Sequence, residues 1–423
     1  MPPSFKVLVS AYACNPYIGS EEGVGWGWVR AMAQYHQLWV ITAEFHRADL
    51  ETAQNETPDL FKHIKFIYVP HRPWHYTPTK AWLFFEGSIL KPIMNYAYRL
   101  WQRDAFQVAK NLNRKIHFDL THQITYVGFR FPGHLWKLNA PFVWGPIGGL
   151  ENTPPQFLPE LGPQGFIYYA CRNIINSIDK RFLPGPKKAF KRARGGIIAA
   201  TNGIRKEILR WYGVDSEVIC EIGPPSDIAQ DFTRRKPGEF LKLAWSGQHL
   251  PGKALPLLLH ALFRLPSEIR WQIDILGQGP YTQKWQQLTR ELGVDRRCKW
   301  HGQIPRSEAI KRVHRSHLFI ITSLKDLTST VLLEAFSQGV PIICPDHCGF
   351  ADVVTDNCGI KIAVHTPRQF AIDLADAITL LAKDEECRRK LAKGALQRIE
   401  DFSWEKKARQ VNLIYRRIVD KGL

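Results

Sequence analysis

SLKDLTSTVLLEAFSQGVPIICPDHCGF, residues 323–350, sets one acid, Glu334, inside an otherwise apolar run and closes it with Gly339-Val340-Pro341. Thr328, Ser329 and Thr330 are residue types that accept hydrogen bonds from the first free N–H groups of a helix. Residues 331–338 complete that helix, and Gly339 suits a left-handed stop before a buried strand at 341–344. Glu334 then lies about one turn inside a short helix whose N-terminus opens at the top of a sheet. Free N–H groups there attract phosphate, and an acid one turn further in accepts hydrogen bonds from vicinal hydroxyls such as those of a ribose. The plainer alternative is a structural acid satisfied by neighbouring N–H groups.

Upstream, apolar runs at 241–246, 271–276, 298–302 and 318–322 alternate with helical stretches at 255–265, 281–292 and 307–314, the pattern of a wound parallel sheet. The first half alternates in the same way. Strands are expected at 6–10, 38–42, 64–69, 120–123, 142–144 and 196–200, with a Gly-rich loop after the first and a helix at 26–35. Pro224-Pro225 and the polar stretch to Glu239 read as a linker. We therefore expect an α/β protein of two Rossmann-like domains, 1–225 and 226–400, with ligands in the cleft beyond the strand ends. Trp404, Ala408, Val411, Ile414, Tyr415 and Ile418 have helical spacing, so 401–423 is expected to pack back across the first domain.

A chain of 423 residues, 45% hydrophobic, can bury more than one core. Its formal charge of +18 draws it to phosphates on nucleotides, nucleic acid or anionic lipid. The eight cysteines are scattered without a CxxC pair, so they read as reduced thiols of a cytosolic protein, and no metal-ligand spacing appears. The N-terminus lacks the apolar core of a signal peptide, and the apolar stretch 81–101 is interrupted by Glu86, Lys91, Pro92 and Arg99, so neither is expected to span a membrane.

These residues resemble the retaining glycosyltransferases of the GT-B fold, especially the bacterial type of glycosyltransferase family 4. Asp326 and Glu334 are two acids at that family's seven-residue separation, with Asp in place of the usual first Glu. Residues 246–253, SGQHLPGK, stand where the family clasps the donor diphosphate; 276–280, LGQGP, matches its Gly-x-Gly-Pro turn. His301-Gly302-Gln303-Ile304 is similar to the loop against the nucleotide base, and Phe402-Ser403-Trp404-Glu405 to the start of the returning helix. In the first domain, Gly19-Ser20-Glu21-Glu22-Gly23 resembles the glycine pair near the diphosphate, Asp119-Leu120-Thr121-His122 the strand ending in the donor-sugar histidine, and 144–149, WGPIGG, a loop of some bacterial members.

The resemblance implies a metal-independent, retaining transfer from a UDP- or GDP-linked sugar, with no cofactor. Lys253 would neutralise the leaving diphosphate, and Asp326 and His122 would act at the donor sugar. Glu334 would hold the ribose, and Gly302 and Ile304 would lie against the base. Gly247, Gln248, Thr328, Ser329, Thr330, Val331, Gly19 and Ser20 would complete the donor site, and Glu21, Trp144, Gly148 and Gly149 would meet the acceptor. Gln248 replaces the usual Arg, Leu327-Thr328 the customary Gly-Phe, Ile222-Gly223-Pro224-Pro225 the usual Pro-Asn-Gly, and Cys348-Gly349 a Gly-Gly pair.

A degenerate protein that only binds sugar nucleotides is the alternative reading. A dinucleotide-dependent oxidoreductase is faintly echoed by Gly23-Val24-Gly25-Trp26-Gly27, whose third glycine comes one residue early. No zinc-finger, RNP or recognition-helix pattern points to nucleic acid. Between Arg172 and Arg194 eight cations face the lone Asp179, and from Trp74 to Trp101 Lys80, Lys91 and Arg99 interleave with Trp82, Phe84, Phe85, Tyr96 and Tyr98. Cations among aromatics suit an anionic bilayer surface. The expectation is peripheral attachment to the cytoplasmic membrane face and a glycan or lipid-linked acceptor.

Overall fold

The computed structural model describes residues 5–71 and 91–420. Seven strands form the first sheet: β1 Lys6–Ala11, β2 Gln37–Ala43, β3 Ile64–Val69, β4 Leu120–Thr125, β5 Phe142–Ile147, β6 Ile197–Ala199 and β7 Glu217–Val218, in the order β3-β2-β1-β4-β5-β6-β7. Six form the second: β8 Leu241–Ser246, β9 Trp271–Leu276, β10 Cys298–Gly302, β11 Leu318–Ile320, β12 Ile342–Pro345 and β13 Gly359–Ile362, in the order β10-β9-β8-β11-β12-β13. Each is a parallel sheet; Val7 lies opposite Leu38 on one side and Leu120 on the other. β4 and β5 are buried along their whole length, which is why both read as strands without alternation. The winding reverses beside β1 and β8, so the crevices open at the carboxyl ends of those two strands.

Two short strands, β7 and β13, went unread because two and four residues carry too little pattern. A larger correction concerns the glycines. The first helix is Ser20–Met32, so Gly23, Gly25 and Gly27 lie inside it and form no loop. A Cβ at Gly25 would collide with the Ala13 carbonyl oxygen, and one at Gly27 with the indole of Trp404. These glycines let the helix press against β1's exit and against the C-terminal helix, and a dinucleotide-binding turn has no place here.

The C-terminal helix, Trp404–Asp420, returns to the first domain as expected. Ala408 is buried on its inner face, where Val411, Ile414, Tyr415 and Ile418 share a core with Trp28, Val29 and Met32 of the first helix. Trp404 enters the slot that Gly27 and Gly223 leave open. Residues 155–182 complicate the boundary at 225: Phe157, Leu158, Leu161 and Tyr169 pack into the core of the second sheet, with the rings of Phe157 and Phe370 5.9 Å apart. Of the aromatic and basic stretch 74–101, residues 74–90 lie outside the described residues. Tyr98 is buried, donating to the Thr125 carbonyl, so it is a core aromatic and offers nothing to a surface. Among the described residues, no helix is long and apolar enough to cross a membrane, and all eight cysteines are free thiols.

Gly27→Ala should overpack the Trp404 slot at a cost of about 1–3 kcal/mol, lowering the melting temperature by several degrees. Gly19→Ala, whose Cβ meets nothing within 4 Å, should leave it unchanged. Equal melting temperatures for the two variants would show that the indole simply moves aside.

Candidate functional site

A cavity of about 450 Å³ lies between the domains at the carboxyl ends of β1 and β8. Ser20, Glu21, Val24 and Val127 line it from one side, Gln248, Lys253 and residues 326–330 from the other, and Glu221 and Ile222 from the connecting segment. Lys253 ends the turn Pro251–Lys253 that follows β8. The Thr322 hydroxyl donates to the Lys253 carbonyl at 2.7 Å, and the Leu324 N–H to the Gly252 carbonyl at 2.9 Å. The Lys253 ammonium donates to Asp326 Oδ2 at 2.5 Å, so two of the expected catalytic residues are brought together as a half-buried ion pair. Asp326 Oδ1 also accepts the Leu327 N–H at 3.1 Å.

The loop bearing Asp326 is clasped by the first domain. Its Thr328 N–H donates to Glu221 Oε1 at 2.9 Å, and its Lys325 ammonium donates to the Glu151 carbonyl. Leu327 fills the space that Gly148 leaves open, where a Cβ would stand 2.6 Å from its methyl. Gly148 therefore seats this loop, and neither it nor Gly149, at φ +83, lies on the cavity wall. Gly349 matters likewise, because a Cβ there would strike the Thr328 hydroxyl. Beyond the loop, Ser329 caps the helix Thr330–Ser337 through its backbone, not its hydroxyl. The N-terminus of that helix thus sits on the cavity wall.

Glu334, one turn further on, is off that wall. Its Oε1 accepts from Arg306 Nε at 2.7 Å, the acid only 12% exposed and the arginine 64%. Neither reading of this acid anticipated an arginine from the neighbouring helix Arg306–His314. Val331 is half-buried against the core beside it. Gly302, at φ +64, offers its carbonyl to the Gly277 N–H at 2.9 Å, and Ile304 packs on the core. Gly247 lies below exposed Gln248, its N–H bonded to the Leu276 carbonyl. Gly19 precedes the first helix, and Ser20, at φ +61, reaches the wall.

Two expectations need correction. His122 is fully buried away from the cavity, Nε2 donating to the Gly145 carbonyl at 2.8 Å and Nδ1 accepting from the Tyr415 hydroxyl at 2.6 Å. Burial holds its pKa down at about 4, so it is a neutral core ring that ties the C-terminal helix to β4 and β5. Trp144 is buried too, packed on Phe190 at 4.5 Å, because its position in β5 faces the core and not the loop end.

The residue that sequence reading missed is Glu221. It looked like the edge of a Pro-rich linker, yet it is 4% exposed and lines the cavity. Burial pushes its pKa up to about 7, and does the same to Glu21, whose Oε1 accepts the Val127 N–H at 2.8 Å. Among the described residues the wall thus carries three carboxyl groups, Glu21, Glu221 and Asp326, against one cation, Lys253. An acid one residue short of Gly223-Pro224-Pro225 was the only sequence signal for it.

Residues 227–398 match the family model described as glycosyl transferases group 1. A D-inositol 3-phosphate glycosyltransferase of Nocardioides sp. is 27% identical over 248 residues, 52% of this chain and 53% of that protein. The chain thus spans about half the length of such curated relatives. Among solved structures, a sucrose-phosphate synthase from Thermosynechococcus elongatus superposes with a TM-score of 0.63 at 15% identity, covering 98% of this chain and 99% of that one. The lipopolysaccharide outer core galactosyltransferase WaaB, in its apo form, does so with 0.62 at 15%, covering 96% and 99%. The fold is GT-B.

Glu221 makes a testable contribution to pH dependence. The folded protein binds its proton more tightly than the unfolded chain, so its stabilising contribution is complete below about pH 4.5 and is lost as pH rises through 7. His36, His46, His122, His134, His249 and His317, held at about 4 by burial, push the parent the other way. The difference between E221Q and the parent isolates the acid: E221Q should gain relative stability between pH 5 and pH 8, by up to about 3 kcal/mol. A melting-temperature difference that is flat with pH would refute this.

Proposed function

We propose that the protein is a retaining glycosyltransferase that moves a sugar from a UDP- or GDP-linked donor to a hydroxyl of a glycan or lipid-linked acceptor. It works without a metal, peripherally on the cytoplasmic face of a membrane. The observation that carries this reading is the convergence of Lys253, Asp326 and the N-terminus of Thr330–Ser337 on one interdomain cavity. Supporting it are the group 1 match over 227–398 and relatives named as glycosyltransferases. The lipopolysaccharide enzyme among the structural neighbours motivates the acceptor class.

In the proposed reaction the bond between the anomeric carbon and the phosphate oxygen breaks while an acceptor hydroxyl attacks from the same face. The acceptor proton passes to the departing phosphate. Negative charge builds on that phosphate, so a preorganised cation and helix terminus lower the barrier there. Lys253 turns from Asp326 towards the diphosphate, and the freed carboxylate accepts from donor-sugar hydroxyls. Glu334, released from Arg306, takes the ribose hydroxyls. Gln248 leaves one cation fewer than the family usually places near the diphosphate.

Turnover against a panel of UDP- and GDP-sugars, with the product's anomeric configuration read by NMR, tests the reading. Lys253→Ala and Asp326→Asn should each lower kcat by about 10²–10³-fold. Glu334→Ala should weaken nucleotide binding in calorimetry while leaving the fold intact, and a chelator should change nothing. Nucleotide binding without turnover would instead identify a protein that only binds sugar nucleotides.

A further inference from the structure

The helix Gly162–Phe182 is amphipathic in the wrong sense for a soluble protein. Asn173, Asn176, Asp179 and Lys180 face inwards. Asn173 exchanges hydrogen bonds with the Thr153 backbone, Asn176 donates to the Leu150 carbonyl at 2.9 Å, and Asp179 accepts from Arg130 at 2.5 Å. Lys180, 4% exposed at its side chain, pairs with Glu207 at 2.5 Å. The opposite face is aliphatic and open to solvent: Ile167 is 63% exposed, Ile174 60%, Ile178 51% and Phe182 68%. Spacings of seven, four and four residues set these four on one stripe, with exposed Cys171 and Ile175 beside it. Ordinary helix packing would bury such a stripe and wet the asparagines.

We propose that this stripe is a docking face for an anionic lipid bilayer, into which the helix lies flat for about 30 Å of its length. Three observations choose the lipid over other occupants. Arg181, Lys187, Lys188 and Lys191 follow on exposed positions. The one acid between 162 and 194, Asp179, is already bound to Arg130. A second copy of a chain carrying +18 would bring two such basic clusters together, whereas anionic headgroups neutralise them. The inner face of the same helix reaches the donor side: Gly165 lies against Pro251, where a Cβ would stand 2.7 Å from the ring, and Tyr169 packs on Gly252 beside Lys253. Docking would thus hold the cavity at a fixed height over the bilayer.

This rests on the peripheral part of the proposed function and not on its chemistry, so it is tested without any donor. The full chain is floated with vesicles of phosphatidylcholine alone and of equal parts phosphatidylcholine and phosphatidylglycerol, at low and high salt. The parent should float with the anionic vesicles and detach as salt rises. I174S/I178S/F182S should fail to float while keeping a melting temperature close to the parent's, since more than half of each side chain already faces solvent. K187S/K188S/K191S should lose about a hundredfold in partition to anionic vesicles, roughly fivefold per cation. An environment-sensitive dye on Cys171, the one exposed cysteine among the described residues, should shift to the blue with anionic vesicles. No flotation of the parent at low salt, or flotation of the apolar variant equal to the parent's, would overturn the proposal. So would concentration-dependent self-association of the parent that the apolar variant abolishes, which would assign the face to a second copy.

Discussion

The backbone N–H of Thr328 meets the buried Glu221 carboxyl at 2.9 Å, and much of the site's geometry depends on that contact. It fixes the loop of one domain to the connecting segment of the other. Leu327 in the gap at Gly148 and Lys325 on the Glu151 carbonyl make the clasp three-pointed. A loop held from both sides presents Asp326, Ser329 and Thr330 to the cavity without needing a rigid element of its own. The cost is a carboxyl group placed where burial disfavours its charge.

That cost shapes the electrostatics of the cavity. Three carboxyl groups and one ammonium make an unpromising host for a diphosphate if all are charged. Burial raises Glu21 and Glu221 to about 7, so near neutrality each spends much of its time uncharged. Asp326 holds Lys253 meanwhile, which keeps the ammonium on the cavity wall instead of in solvent. The helix terminus at Thr330 adds positive potential that needs no counter-ion.

The two sheets are also locked from behind. Trp404 fits only because Gly27 and Gly223 lack side chains, and the Tyr415 hydroxyl bonds His122 in β4. A histidine that resembled a sugar contact therefore acts as a fastening for the C-terminal helix. The helix Gly162–Phe182 has a similar double life, since it supports the Lys253 turn with one face and leaves its aliphatic face to the outside.

Local pattern was enough for the two wound sheets, because each buried parallel strand is an apolar run and each helix has its period. The resemblance put Lys253 and Asp326 at one site, and both follow strands that flank the switch in winding, but their ion pair belongs to the tertiary structure alone. Residues 323–350 carried the helix, its N-terminus and its acid within a single short stretch. Specific side-chain contacts between distant segments stayed illegible. The partner of Glu334 is Arg306, on another helix; the reason for Gly27 is Trp404, near the other end of the chain; Glu221 became a wall of the cavity only when the domains met. Whether Ile174 and Ile178 are core or surface is the same kind of question. Periodicity tells which residues share a face of a helix, but only the tertiary structure chooses which face is turned towards the protein, and here the asparagines and Lys180 found their partners inside.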